Sequence, residues 1–186
     1  MKTLIVGYGE IGKALANVLL PFYTLGIQES MFTEVYAKFN PEILHICFGY
    51  SDKFVSEVKR YQEKYKPKYT VIHSTVPVGV CRKLNAIHSP VIGQHPFLEE
   101  GIKTFVKILG GKQASEVADY FRRAGLKVLL YDTQETSESA KIFLTEYYRV
   151  CIEFTKSVKR YCDTNSLNFH EVYTLPNQIY NEGYKE

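Results

Sequence analysis

The sequence predicts an α/β fold, a doubly wound parallel sheet with a C-terminal helical extension. Three observations predict it. Short apolar, strand-like runs alternate with helical patterns over the first 132 residues, the arrangement of a parallel sheet joined by crossover helices. A glycine-rich turn joins the first strand to the first helix. After Asp132 the alternation gives way to one long helical stretch.

The first strand, over 3–6, contains Leu4-Ile5-Val6 and runs straight into Gly7-x-Gly9-x-x-Gly12. The helix over 11–20 follows, built on Ala14-Leu15-Ala16 and Val18-Leu19-Leu20. Strand, three glycines and helix in this order read as a Rossmann-type dinucleotide-binding unit. Gly7 permits the tight turn, Gly9 lets the main chain approach a diphosphate, and Gly12 lets the helix pack on the strand. The helix offers its N-terminal amides and its dipole to the anion. Tyr8, Glu10 and Ile11 complete the expected binding loop.

Further strands are predicted over 25–28, 43–48, 70–73, 91–93, 107–109 and 127–131, and helices over 53–65, 79–86 and 114–124. Phe48 and Gly49, where the third strand ends, and Thr75, after the fourth, are further expected cofactor contacts. The second strand ends in Gln28-Glu29. An acidic residue there accepts hydrogen bonds from the adenosine ribose, and no Arg or Lys follows at once to hold a 2′-phosphate, so NAD is favoured over NADP. If Gln28 rather than Glu29 occupies the acid position, the preference weakens. A solvated turn is the other reading of Glu29.

The long helix is predicted over 136–162, with Ile142, Phe143, Tyr147, Val150, Cys151 and Phe154 near helical spacing. A short helix over 168–175 is expected to stop at Pro176. The domain plan is therefore a dinucleotide-binding domain over 1–132 and a helical extension over 133–186. A broad apolar helix face must be buried against something. A homodimer through the C-terminal helices is the expected answer, and folding back on the chain's own sheet the alternative.

A chain of 186 residues is one domain or one domain with an appendage, and buries roughly 70% of its unfolded surface. With 45% hydrophobic and 23% charged residues it reads as globular. A net charge of +3 with mixed signs disfavours a nucleic-acid partner. No run reaches transmembrane length, and the opening strand leaves no room for a signal peptide, so a cytoplasmic protein is expected. Cys47, Cys81, Cys151 and Cys162 lack C-x-x-C spacing and read as reduced packing thiols. His45, His73, His88 and His170 show no ligand spacing, and no metal site is expected.

Later motifs carry a family resemblance. The run from His73 to Leu84, HSTVPVGVCRKL, resembles the "ESTVPPGTTRKL" of nucleotide-sugar dehydrogenases, the UDP-glucose and GDP-mannose 6-dehydrogenase family within the 6-phosphogluconate dehydrogenase-like superfamily. His95-Pro96-Phe97-Leu98-Glu99-Glu100-Gly101 is similar to that family's "NPEFLREG" with one residue missing. Ile108-Leu109-Gly110-Gly111 resembles its "VIGG", and Ser137-Glu138-Ser139-Ala140-Lys141 its "AEMVK". The resemblance implies that Thr75 lies near the nicotinamide and helps hold a catalytic water, that Glu100 lies near the reacting centre, and that Lys141 stabilises oxyanion charge or assists proton transfer. An ammonium beside a developing alkoxide is chemically apt for that role. A solvated helix lysine is the plainer reading.

The departures are specific. The family's asparagine one turn past the lysine is Thr145 here, on the same helix face. The first glutamate of "PEFL" is deleted. The family's "GYGGxCxPKD" segment, which supplies its catalytic thiol, and its nucleotide-sugar domain have no counterpart in the 186 residues. Val91-Ile92-Gly93-Gln94-His95-Pro96 also resembles the "GGHP" of prephenate dehydrogenases, where His95 would contact substrate. The expected function is an NAD-dependent oxidoreductase acting on a hydroxyl-bearing small molecule, a sugar or hydroxy acid. The alternatives are a non-catalytic NAD-binding remnant or regulatory subunit, and a prephenate dehydrogenase-like enzyme.

Overall fold

The computed structural model describes residues 1–29 and 40–184. Strand β1 (Lys2–Val6) enters α1 (Glu10–Leu19), then β2 (Thr24–Gln28), β3 (Ile43–Ile46), α2 (Phe54–Tyr65), β4 (Tyr69–Ile72), α3 (Val80–Lys83) and β5 (Ile87–His88). Helix α4 (Leu98–Thr104), β6 (Lys107–Gly110), α5 (Ala114–Arg123), β7 (Val128–Tyr131) and α6 (Gln134–Thr164) follow. A π-helical turn, His170–Thr174, leads into α7 (Leu175–Gly183).

The seven strands form one sheet in the order β2-β1-β3-β4-β5-β6-β7. Strands β1 to β5 pair in parallel. Their sequences are nearly continuous apolar runs because helices cover both faces. Side chains alternate between those faces. Ile5 joins the core made with Leu15 and Leu19 of α1 and Val117 and Phe121 of α5. Its neighbours Leu4 and Val6 join the opposite core, with Phe54 and Val58 of α2 and Val80 and Leu84 around α3.

Several elements differ from expectation. The strand expected over 91–93 is instead Ile87–His88, and residues 89–94 form no regular element. Pro90 interrupts the run and has no N–H to donate to a ladder. The pairing of β5 with β6 is antiparallel, at His88 with Gly110, so the sheet is mixed. The helix expected over 79–86 is the single turn Val80–Lys83, closed by Asn85 at a φ of 46°. Helix α4 went unpredicted. Pro176 stops nothing: it sits in the first turn of α7, where its missing N–H would have no helical partner anyway.

The chain divides into two compact units, Met1–Ile142 and Phe143–Glu186. The first holds the sheet. In the second, Phe143, Tyr147, Phe154, Ile179 and Tyr180 are more than half exposed. Among the described residues no helix is long and apolar enough to cross a membrane, and no cluster of His, Cys, Asp or Glu is placed to hold a metal.

Candidate functional site

The direction of chain reverses in strand order between β1 and β3, and ligands of open α/β sheets bind beyond the carboxyl ends of strands at such a point. Gly7 and the Cys47–Phe48 peptide sit side by side there. At Gly7 φ is +91°, and an added Cβ would lie 2.8 Å from the Phe48 amide nitrogen. At Gly12 an added Cβ would lie 2.0 Å from the Gly7 carbonyl oxygen. The turn and the first helix are therefore packed backbone to backbone.

Gly9 differs. It is the N-cap of α1, no side chain caps the helix there, and a Cβ added to it would meet nothing within 4 Å. The helix amides beyond it form an open cradle, chemically suited to a diphosphate. Glu10, in the first turn, contacts the imidazole of His95. Asn17 of α1 donates to Glu99 of α4 at 2.8 Å. These two contacts tie the loop containing His95, and α4 after it, to the binding helix. Tyr8 and Ile11 pack partly buried against the core beneath.

At the second strand Gln28 is buried, and its amide oxygen accepts from the Tyr65 hydroxyl; Glu29, next along, is exposed. Phe48 is half-buried and Gly49 exposed beyond β3. The Ser74 hydroxyl donates to the Phe48 carbonyl, which joins the ends of β3 and β4. Thr75 is exposed on the loop that follows. Glu100 is exposed on α4.

Helix α6 supplies the lysine. Its Ser137 and Glu138 are fully buried. Ser137 Oγ bonds His88 Nδ1 at 2.8 Å. The Glu138 carboxylate accepts from the backbone N–H of Cys81 at 2.8 Å and of Gly79 at 2.5 Å. One turn on, Lys141 Nζ donates to the Val91 carbonyl at 2.9 Å. Burial pushes the Lys141 amine below its ordinary pKa. The Glu-x-x-Lys spacing thus has a physical division of labour: Glu138 anchors the loop carrying Thr75, and Lys141 bonds the irregular segment after β5. Thr145 lies one turn further along α6, exposed, in the second unit.

Sequence reasoning assigned no role to Glu138, to the contact of Glu10 with His95, or to Lys107. Lys107 is 3% exposed at the start of β6, and its Nζ donates to the carbonyls of Ser89 at 2.8 Å and Pro90 at 3.2 Å. His45 and His73 are buried beside it. A lysine and two histidines within otherwise apolar strands were the available signal. Cys47 and Cys81 are ill-suited as nucleophiles: burial pushes the Cys47 thiol up to about 12 and raises Cys81 further.

No family model matches the chain, and no curated protein matches it. Solved structures do. The chain is similar in fold to UDP-D-ManNAc dehydrogenase from Pyrococcus horikoshii (TM-score 0.75, 14% identity), covering 96% of this chain and 58% of that one. It is likewise similar to a UDP-glucose dehydrogenase from Pyrobaculum islandicum (TM-score 0.74, 15% identity, 94% and 56% covered). A reductive aminase from Aspergillus terreus, in complex with NADPH and ethyl levulinate, matches at a TM-score of 0.72 and 12% identity over 98% of this chain and 74% of that one. At these identities the likeness establishes a Rossmann-like dehydrogenase fold. The chain spans less than two thirds of the length of the two sugar-nucleotide enzymes.

Proposed function

We propose that this protein is an oxidoreductase using a nicotinamide dinucleotide, NAD in preference to NADP, to oxidise a hydroxyl-bearing small molecule such as a sugar or hydroxy acid. The observation that carries the reading is the backbone cradle: Gly7 and Gly12 permit a closure that a Cβ would block, while Gly9 leaves the helix terminus open. Gly7, Gly9, Gly12 and the first amides of α1 would hold the diphosphate, and Phe48, Gly49 and Thr75 would flank it from the neighbouring strand ends. Glu29 would take the ribose. The nicotinamide, when bound, accepts the hydride. Lys141 then supplies positive charge toward the oxygen that loses its proton. Glu138 and Ser137 hold that lysine's helix against the Thr75 loop and β5. Folds of this kind in dehydrogenases and reductases support the reading.

The exposed apolar residues of the second unit, among them Phe143, Tyr147 and Phe154, support a homodimer formed through the C-terminal helices. One alternative reading is a non-catalytic cofactor-binding module.

The test is calorimetric titration with NAD and NADP, followed by NADH appearance with a panel of sugar nucleotides and hydroxy acids. Binding of NAD with turnover is the expected result. Binding without turnover on any of them selects the module, and no heat with either cofactor overturns the reading.

A further inference from the structure

Beneath the Lys141 site runs a continuous line of buried polar groups that the proposed reaction does not use. Lys107 Nζ lies 3.2 Å from His73 Nδ1. His73 Nε2 lies 2.9 Å from His45 Nδ1, and His45 Nε2 3.1 Å from the Tyr120 hydroxyl. That hydroxyl lies 3.3 Å from Thr3 Oγ1, which is 3.2 Å from the Ile43 carbonyl. Every side chain in the line is 3% exposed or less. Five polar groups aligned across three strands, the residue just past β4 and one helix, in an interior where unpaired polar atoms cost dearly, must keep each donor matched to an acceptor.

Two proton arrangements do so. In the first, Lys107 is an ammonium and donates to His73 Nδ1. His73 then donates from Nε2 to His45 Nδ1, His45 from Nε2 to Tyr120, and Tyr120 to Thr3. In the second, His73 donates from Nδ1 to the Ser89 carbonyl, 2.9 Å away. His45 then donates from Nδ1 to His73, and Tyr120 donates to His45. A charged Lys107 facing a protonated Nδ1 would set donor against donor, so the second arrangement requires the neutral amine, which keeps its own N–H bonds to Ser89 and Pro90.

We propose that Lys107 is a positioning residue for the Lys141 site and that its proton sets the direction of a reversible hydrogen-bonded chain through His73, His45, Tyr120 and Thr3. The link to Lys141 rests on the function proposed above; the chain does not. The connection between the lysines is the segment Ser89-Pro90-Val91. Lys107 holds its first two carbonyls and Lys141 its third. The balance is simple: Lys107 releases one proton to solvent, each imidazole exchanges an Nε2 proton for an Nδ1 proton, and both rings stay neutral.

The surroundings poise this exchange. Burial and the nearby Lys141 lower Lys107 to about 7, against an opposing pull from Cys47. Burial and Lys107 lower His45 to about 3 and push His73 well below its ordinary value, with His45 and His88 adding to the effect on His73. His88, on β5, is lowered to about 4 by burial, with Lys107 and Lys141 contributing. Tyr120, on α5, is raised by burial and remains a phenol. Within the line itself, Lys107 is the group brought nearest neutrality.

The experiment is nitrogen-15 NMR of the histidine rings in the full chain, titrated through pH 7, without cofactor. The expected result is that His45 and His73 move their ring protons from Nε2 to Nδ1 together, in one transition, with no imidazolium. Rings that keep one tautomer throughout overturn the proposal. Lys107→Met should abolish the transition, and Lys141→Met should move it to higher pH, because the Lys141 cation lowers Lys107. A Lys107→Met protein that retains the transition, or a Lys141→Met protein that leaves its pH unmoved, also overturns it. Because the wild-type titration needs neither a folded variant nor a bound dinucleotide, its failure is separable from failure of the proposed function.

Discussion

Glu138 accepts the backbone N–H of Gly79 across an interval of 59 residues, at 2.5 Å, and the Cys81 N–H with its other oxygen. This one carboxylate fastens the start of α6 to the loop between β4 and α3. Glu138→Gln replaces one acceptor oxygen with a donor that faces another donor. The expected loss is about 2 kcal/mol of folding stability, within the range for leaving a buried hydrogen-bonding group unmatched. Urea denaturation compares the two proteins; an unchanged midpoint would remove Glu138 from this role.

Gly9→Ala and Gly12→Ala should behave oppositely. An alanine methyl at position 12 collides with the Gly7 carbonyl, so the strand–turn–helix unit must open. We expect a destabilisation of at least about 2 kcal/mol, at the upper end of ordinary single substitutions. At position 9 the methyl meets nothing. Stability should hold within about 1 kcal/mol, while NAD affinity falls because the methyl enters the space the diphosphate needs. Thermal melting and calorimetry read the two effects separately, and equal NAD affinity in Gly9→Ala would argue against the cradle.

Lys141→Met keeps most of the side chain's packing and removes its charge. With a turned-over substrate in hand, turnover should drop by about 10²–10⁴-fold with folding largely preserved. A variant with wild-type turnover would exclude Lys141 from the chemistry.

Stability should rise with pH from about 7 to about 9, above which the raised thiols of Cys47 and Cys81 act in the opposite direction. Burial holds the folded-state Lys107 near 7, so between that value and the ordinary lysine range near 10.5 the unfolded chain binds the extra proton. Where the unfolded state binds more protons, raising the pH favours the fold. His45 acts likewise at lower pH. With its folded value near 3 against an ordinary 6.5, its contribution is complete above 6.5 and is lost as pH falls toward 3. Urea midpoints across the pH scale check both windows, and Lys107→Met should flatten the upper one and narrow the lower, since Lys107 also depresses His45.

If the second unit mediates self-association, Phe154→Glu should convert a dimer to a monomer. Phe154 is 58% exposed, so the substitution costs the isolated chain little. Sedimentation of wild type as a monomer at all concentrations would rule the dimer out.

What the sequence made legible is what periodicity and glycine spacing encode. The opening Gly7-x-Gly9-x-x-Gly12 unit was readable because each glycine answers a backbone requirement. The strands over 43–46 and 69–72 were readable because both of their faces are apolar. The segment around Ser89-Pro90-Val91 misled: Val91-Ile92 looks like a strand, yet Pro90 ends the ladder and two lysines take up the carbonyls instead. Helix α4 is short, with only Leu98, Gly101 and Ile102 buried, too few positions to show a period. Pro176 is ambiguous by nature, since proline ends one helix and begins the next. The polar line from Lys107 to Thr3 was hidden for a different reason. Its members lie 42, 28 and 34 residues apart at the successive intervals from Thr3 to His45, His73 and Lys107, and only strand pairing makes them neighbours.

The antiparallel setting of β6 has a wider consequence. A strand laid with its neighbours would begin at the rim remote from the glycine cradle, and its first residue would face away from any bound molecule. Reversal makes the first residue arrive where the others finish. The inverted pair β6 and β7 thus delivers an interior cation to the very rim at which strands β1 to β5 terminate.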